Sequence, residues 1–328
     1  MREFEKPDFL FLLPLLADAT KSKMVEGQLT IYPSTGSGYA WARTLPSGIS
    51  IFIAETLLTQ DVEIKRIATD ENFFCLQFTE QIAEAGTSRR LAEDVQSYVK
   101  LSHTYNEDVI VFPAGLKTRI VAFFFNKDHF AKVLGRSVMD EMLTQHFPKL
   151  IKSDTLQPIA TEYRVMLDEL LVEKIQHPLQ VNYIQNRVLL LLEKFIIKLH
   201  QRREVAAKKP RRSDDETMRL MKVEALLVKN FEKAPPTIEE LSRISAMSPT
   251  KLKNDFKALY GLPIYEYYQK NRMIKAKALL MLGKYSIKEV GIMVGYSNLS
   301  HFANTFKKEF GHLPSELAAK DGVLVYNT

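Results

Sequence analysis

The chain has 328 residues, 46% of them hydrophobic and 26% charged, with 13 Gly and 14 Pro. These proportions exclude collagen-like, low-complexity and wholly disordered classes, and the length exceeds what one core usually needs, so two domains are expected. The net charge of +6 is unevenly spread: residues 208–320 hold 21 Lys/Arg against 12 Asp/Glu (+9), and the remainder holds 24 against 27 (−3). A basic C-terminal third on a slightly acidic body points to a polyanion partner for one part only. The single cysteine, Cys75, excludes a disulfide scaffold and a four-cysteine zinc site and fits a reducing compartment.

The apolar run from Phe9 to Ala17 is too short to cross a bilayer and is interrupted by Pro14. Around it Arg2 and Lys6 alternate with Glu3, Glu5 and Asp8, where a signal peptide would carry a basic n-region. A cytoplasmic chain with no membrane partner is expected. From residue 27 to about 126 the sequence reads as β, with runs at 48–54, 62–67, 73–78, 109–112 and 119–125 rich in β-branched and aromatic residues. Many short strands predict a sandwich or small barrel. Tyr39, Trp41, Phe52, Phe74, Phe78 and Phe123 are candidates either for its core or for the lining of an effector pocket.

Beyond residue 127 the period becomes helical, with segments near 159–175 and 183–200. The second places Ile184, Val188, Leu191, Leu192, Phe195 and Leu199 on one face, and Leu189, Leu190, Ile196 and Ile197 widen it. A helix so broadly apolar is either buried in a domain or shared between subunits. Residues 205–216 carry no periodicity and read as a linker, a solvated tether whose Lys208, Lys209, Arg211 and Arg212 can reach phosphates.

The remaining third contains a repeat. Ile238, Glu240, Leu241 and Ser248 recur 49 residues later as Ile287, Glu289, Val290 and Ser297, and Leu252, Phe256, Lys257 and Gly261 recur 50 residues later as Phe302, Phe306, Lys307 and Gly311. Two copies of one supersecondary unit with a single-residue slip in the turn account for this. Thr237 and Ser286 each have a glutamate three residues on, which predicts capping boxes. Ser248 or Ser297 can cap the second helix of its copy, Pro249 suits a first helical position, and Gly261 and Gly311 stop the second helices.

Those second helices separate core from partner. Leu252, Phe256 and Leu259 face one way in the first, leaving Thr250, Lys253, Asn254 and Lys257 outward. In the second, Phe302, Phe306 and Phe310 face inward, leaving Ser300, His301, Asn304, Lys307 and Lys308 outward. Amides and hydroxyls pair with base edges, and lysines neutralise phosphates. Between the copies, residues 263–282 are helix-prone. Tyr267, Ile274, Ala278 and Leu282 are placed to hold both units, and Arg272, Lys275 and Lys277 to keep the exposed side basic.

With its paired units, its connecting helix and the block Gly295-Tyr-Ser-Asn…Phe302…Phe306-Lys-Lys…Gly311…Pro314, the segment 217–318 resembles the DNA-binding domain of the AraC/XylS family of bacterial transcription regulators. The resemblance implies a sequence-specific, ligand-responsive transcription regulator of the activator kind. Thr250, Lys253 and Asn254 would read one stretch of double-stranded promoter DNA, and Ser300, His301 and Asn304 the next. Lys251, Lys257, Arg272, Lys307 and Lys308 would lie on phosphates. It further implies an α+β chain: a β-rich, cupin-like barrel or jelly-roll sensing domain over 1–204 with dimerisation helices at about 150–204, a linker at 205–216 and an all-α domain of two helix-turn-helix units at 217–320. The partners implied are RNA polymerase, an unidentified small-molecule effector and a second copy in a homodimer. There are departures: Ser242 and Gly291 stand where relatives often have alanine, and Asn254 and Asn304 where several have arginine. Gly291 is expected to soften its helix by up to about 1 kcal/mol.

Enzyme signals are weak. The histidines at 103, 129, 146, 177, 200, 301 and 312 are scattered, so no metal site is expected. Gly36-Ser37-Gly38 lacks the third glycine of a dinucleotide loop, and Ser97-x-x-Lys100 and Ser248-x-x-Lys251 lack partner motifs. Cys75, mid-strand with no basic neighbour in sequence, reads as a buried thiol. No catalytic residue and no cofactor are expected. The alternative is a non-regulatory β-domain enzyme or binding protein tethered to a DNA-binding module.

Overall fold

The computed structural model describes residues 2–25, 27–83, 95–129, 147, 156–171, 180–206, 214–281, 283 and 285–320. The chain divides into two compact units: residues 1–159 with 166–214, and residues 160–165 with 215–328. The class is α+β, as expected.

In the first unit, strand β1 (Arg2–Phe4) leads through a 3-10 turn (Phe9–Phe11) into α1 (Leu12–Ala19). Pro14 does not break this helix because it lies in the first turn, where backbone N–H groups have no intrahelical acceptor. Then follow β2 (Met24–Val25), β3 (Gln28–Thr30), β4 (Gly36–Thr44), β5 (Ser50–Leu58), β6 (Val62–Arg66), β7 (Phe74–Ile82), β8 (Ser97–His103), β9 (Asp108–Phe112), β10 (Lys117–Phe125) and β11 (Gln157–Pro158). An eight-stranded sheet runs β11-β8-β7-β10-β5-β4-β3-β2, and a three-stranded sheet runs β1-β6-β9. The pairings are antiparallel except β1 with β6. Among the described residues the large sheet is open, with β11 and β2 at its edges. The two sheets close with α1 over one core, in which Phe9, Leu12 and Leu16 meet Phe52, Ile120 and Phe124 of the large sheet and Ile64, Ile110 and Phe112 of the small one.

Strand alternation divides the expected aromatic lining. Phe52 pairs with Ala42 and Ala122 on the core face, tilted against Phe9 and edge-on to Phe112. Tyr39, Trp41, Phe74, Phe78 and Phe123 register with residues of the opposite face. The six therefore do not line one pocket. On that opposite face Tyr39 Oη donates to the Leu171 carbonyl, and Arg119 Nη1 bonds Glu80 at 2.6 Å.

Besides α1, the main described helices of this unit are the second half of α2 (Thr161–Leu170) and α3 (Gln180–Ala206). Gln185 of α3 accepts from the Ser47 N–H at 2.9 Å, and Arg119 reaches Asp168 of α2 at 2.5 Å. Ile184, Val188, Leu191, Leu192, Phe195, Ile196 and Leu199 are all buried within the single chain. The stripe centred on Val188, Leu192 and Phe195 is therefore core and not a free pairing face. Only the flank, exposed Ile197 with half-buried Leu189 and Leu190, remains outside.

The expected linker begins inside α3 at Val205 and ends inside the next helix at Glu216. Lys208, Lys209, Arg211 and Arg212 lie outside the described residues. No described helix is long and apolar enough to cross a membrane.

Candidate nucleic-acid interface

The second unit holds α4 (Asp214–Val228), α5 (Ile238–Ser245), α6 (Pro249–Tyr260), α7 (Ile264–Met281), α8 (Ile287–Met293), α9 (Leu299–Phe310) and α10 (Pro314–Lys320). Both capping boxes form: Thr237 and Ser286 accept from the N–H of Glu240 and Glu289, whose carboxylates return to the cap N–H at 2.8 and 2.7 Å. The Ser286 backbone N–H, then its hydroxyl, holds the Glu289 carboxyl below its ordinary range.

The turn in each unit passes through a left-handed residue, Ala246 at φ 50° in the first and Gly295 at φ 78° in the second, still 49 positions apart. The next cap is 50 positions apart: Ser248 caps α6 as expected, but Asn298, not Ser297, caps α9 by accepting from the His301 N–H at 2.9 Å. The slip thus falls in the turn, between the left-handed residue and the cap. Pro249 is the first residue of α6, and Gly261 and Gly311 close α6 and α9 in the left-handed region.

Each unit has its own apolar core. Leu220, Val223, Leu241, Leu252, Phe256 and Tyr267 form the first; Tyr268, Ala276, Val290, Val294, Phe302 and Phe306 belong to the second. The connecting helix α7 contributes to both, so Tyr267 and Tyr268, adjacent in sequence, enter different cores. Ile274 and Ala278, expected to bridge, are half-buried, and Leu282 lies outside the described residues.

Opposite the cores, the side chains expected to meet DNA are exposed: Thr250, Lys251, Lys253, Asn254 and Lys257 on α6, and Ser300, His301, Asn304, Lys307 and Lys308 on α9. Lys251 is already paired with Asp255 at 2.8 Å and Glu216 at 3.0 Å, so a phosphate must compete with two carboxylates for it.

Arg272 is the exception. It is buried; its Nε donates to the Val294 carbonyl at 2.7 Å and its Nη2 to the Gly295 carbonyl at 2.6 Å, and the guanidinium carbon lies 4.2 Å from the Tyr296 ring centroid. A guanidinium committed to the end of α8 is not available to a phosphate, which corrects that expectation. Gly295 itself admits no side chain, since a Cβ there would stand 2.0 Å from the Phe231 carbonyl oxygen. Gly291 lets α8 approach α9: a Cβ would lie 3.0 Å from Leu299 and 3.4 Å from Phe302. The expected softening therefore comes with close packing between these helices.

Sequence reasoning missed the charged centre of the first core. Arg164, from the start of α2, makes a bidentate pair with Glu224 of α4 at 2.7 and 2.8 Å, and the Tyr267 hydroxyl donates to the same carboxylate at 2.8 Å. Glu224 is 1% exposed. Burial, then the Glu224 charge, pushes the Tyr267 phenol well above its ordinary range.

A helix-turn-helix domain model matches residues 241–320. Among curated proteins, the chain is 34% identical over 79 residues to the bifunctional transcriptional activator/DNA repair enzyme AdaA of Bacillus subtilis, covering 24% of this chain and 37% of that one. It is 30% identical over 82 residues to the arabinose operon regulatory protein of Salmonella typhimurium, covering 25% and 29%. The chain thus spans well under half the length of these relatives. A solved AraC-type DNA-binding regulator from Chromobacterium violaceum is 26% identical with a TM-score of 0.30, covering 33% of this chain and 96% of that one.

Proposed function

We propose that residues 241–320, which match a helix-turn-helix domain, are of the AraC/XylS type and that the chain is a sequence-specific DNA-binding transcription regulator. The observation that carries the reading is the repeated face: two capped helices, each with its apolar side in its own core and Thr, Lys and Asn or Ser, His and Asn in solvent. In this reading Thr250, Lys253 and Asn254 meet base edges in one major groove, and Ser300, His301 and Asn304 those of the next. Lys257, Lys307 and Lys308 neutralise phosphates, with Lys251 joining them at the expense of its carboxylate partners. Footprinting on promoter DNA tests it: discrete protection supports a regulator, and uniform weak binding without protection counts against one.

The β-rich part of residues 1–204 is proposed as a cupin-like sensing domain for a small-molecule effector, joined through 205–216 to the reading domain. Transcription activators among the relatives favour activation, and RNA polymerase is the partner proposed for it. A homodimer would raise operator occupancy about a hundredfold or more through avidity. The exposed flank of α3 around Ile197 is the apolar surface left for a second copy, and sedimentation at micromolar concentration tests this.

A further inference from the structure

The two exposed helices match position for position. α6 and α9 are each 12 residues long, each opens on a side-chain cap and each closes on a left-handed glycine. Their fourth and eighth residues, Leu252 and Phe256 in one and Phe302 and Phe306 in the other, are buried in the two cores. On the outward side the second, sixth and ninth residues also correspond: Thr250, Asn254 and Lys257 against Ser300, Asn304 and Lys307. A spacing of four and then three residues places each set along one helix face. Both faces thus carry a hydroxyl, an amide and an ammonium in the same order. The residues between differ, since Lys251 and Lys253 stand where α9 has His301 and Ala303.

Asparagine is a poor choice for the middle of a helix, because its side chain competes with the backbone and favours caps and turns. Asn254 and Asn304 nonetheless sit in mid-helix, exposed, and neither amide bonds to any described residue. Neither a cap nor a core accounts for them. What they share is a planar donor–acceptor edge at one place on two equivalent helices. In a major groove that edge matches adenine, accepting from its N6 amino group while donating to N7.

We infer that the two helices read the same base: Asn254 pairs with an adenine in one major groove, and Asn304 with an adenine in the next. The two adenines lie one helical turn, about 10–10.5 base pairs, apart. Lys251 and Lys253 against His301 and Ala303 then make the bases around each adenine differ. The binding site is a repeat at its two centres and not in their flanks. The inference rests on the reading of this face as the DNA contact and deepens it from DNA to a stated base pair.

To test it, the full chain selects from a pool of random-sequence duplexes, and the enriched site is then changed one base pair at a time. That site should hold two adenines one turn apart, and replacing either A·T pair by G·C should weaken binding about 5- to 150-fold. An adenine analogue with carbon in place of N7 keeps the Watson–Crick pair and should lose affinity at the same two positions. Asn254→Arg should move the preference at one position from adenine to guanine and leave the other unchanged; Asn304→Arg should do the same at the other. Both residues are exposed, so the cores stay intact, and misfolding would not yield a gained guanine preference. A selected site without the two adenines, or one position answering to both variants, overturns the shared reading and leaves a DNA-binding regulator. No enriched site at all overturns the regulator reading and this inference with it.

Discussion

The guanidinium of Arg272 donates to the carbonyl of Gly295, 23 positions along the chain, and so fastens the connecting helix to the turn of the second unit. Arg272→Lys keeps the charge but loses the fork that serves two carbonyls. It should destabilise the C-terminal unit by about 1–3 kcal/mol, read by urea unfolding. The log–log salt slope of DNA binding should not change, whereas loss of a phosphate contact would flatten it by about 0.9.

On the exposed face the two kinds of contact should separate. Asn304→Ala should cost the specific site about 1–3 kcal/mol and spare nonspecific DNA. Lys307→Ala should weaken both alike and flatten the salt slope. Titrations on operator and scrambled duplexes at several salt concentrations decide; equal losses for Asn304→Ala would remove it from the reading face.

The first turn can be improved. Ala246 holds the left-handed conformation that glycine holds at the equivalent place in the second unit. Ala246→Gly should stabilise by up to about 1 kcal/mol, relief of left-handed strain outweighing the added unfolded-chain entropy. Ser242 has a buried hydroxyl with no hydrogen-bond partner, so Ser242→Ala should also raise Tm, by the equivalent of about 1 kcal/mol.

The buried pair behaves oppositely. Arg164→Ala leaves Glu224 charged and unpaired in the first core and should cost about 3–5 kcal/mol. The double replacement Arg164→Met with Glu224→Leu should recover most of that loss, as measured by denaturant midpoints.

Leu192→Glu addresses α3. Because Leu192 is 0% exposed within one chain, the change should unfold the N-terminal unit by about 3 kcal/mol or more. A folded monomer from this variant would return the stripe to an intersubunit role.

How far the sequence could be read followed how local each signal is. Caps, turn residues and apolar spacing act within a few positions, so both helix-turn-helix units and their outward residues were legible. Asn298 was missed because Ser297 occupies the position that the 49-residue period points to, and only the backbone shows where the slip falls. Arg272 looked like surface charge because its carbonyl partners lie far along the chain. The Arg164–Glu224 pair joins residues 60 apart, and no local pattern announces it. Phe52 was grouped with the other aromatics because sheet register, which sends it to the opposite face, depends on pairing partners and not on composition.

Tyr267 and Tyr268 entering separate cores makes α7 a ruler. Adding one residue between the two sets of anchors would swing one recognition helix about 100° around the axis and push it 1.5 Å along. In the proposed reading, a lineage can therefore change which bases it meets by exchanging single side chains. The gap between the two stretches would change only by gaining or losing nearly a whole helical turn, so operator vocabulary should drift freely while its spacing stays frozen.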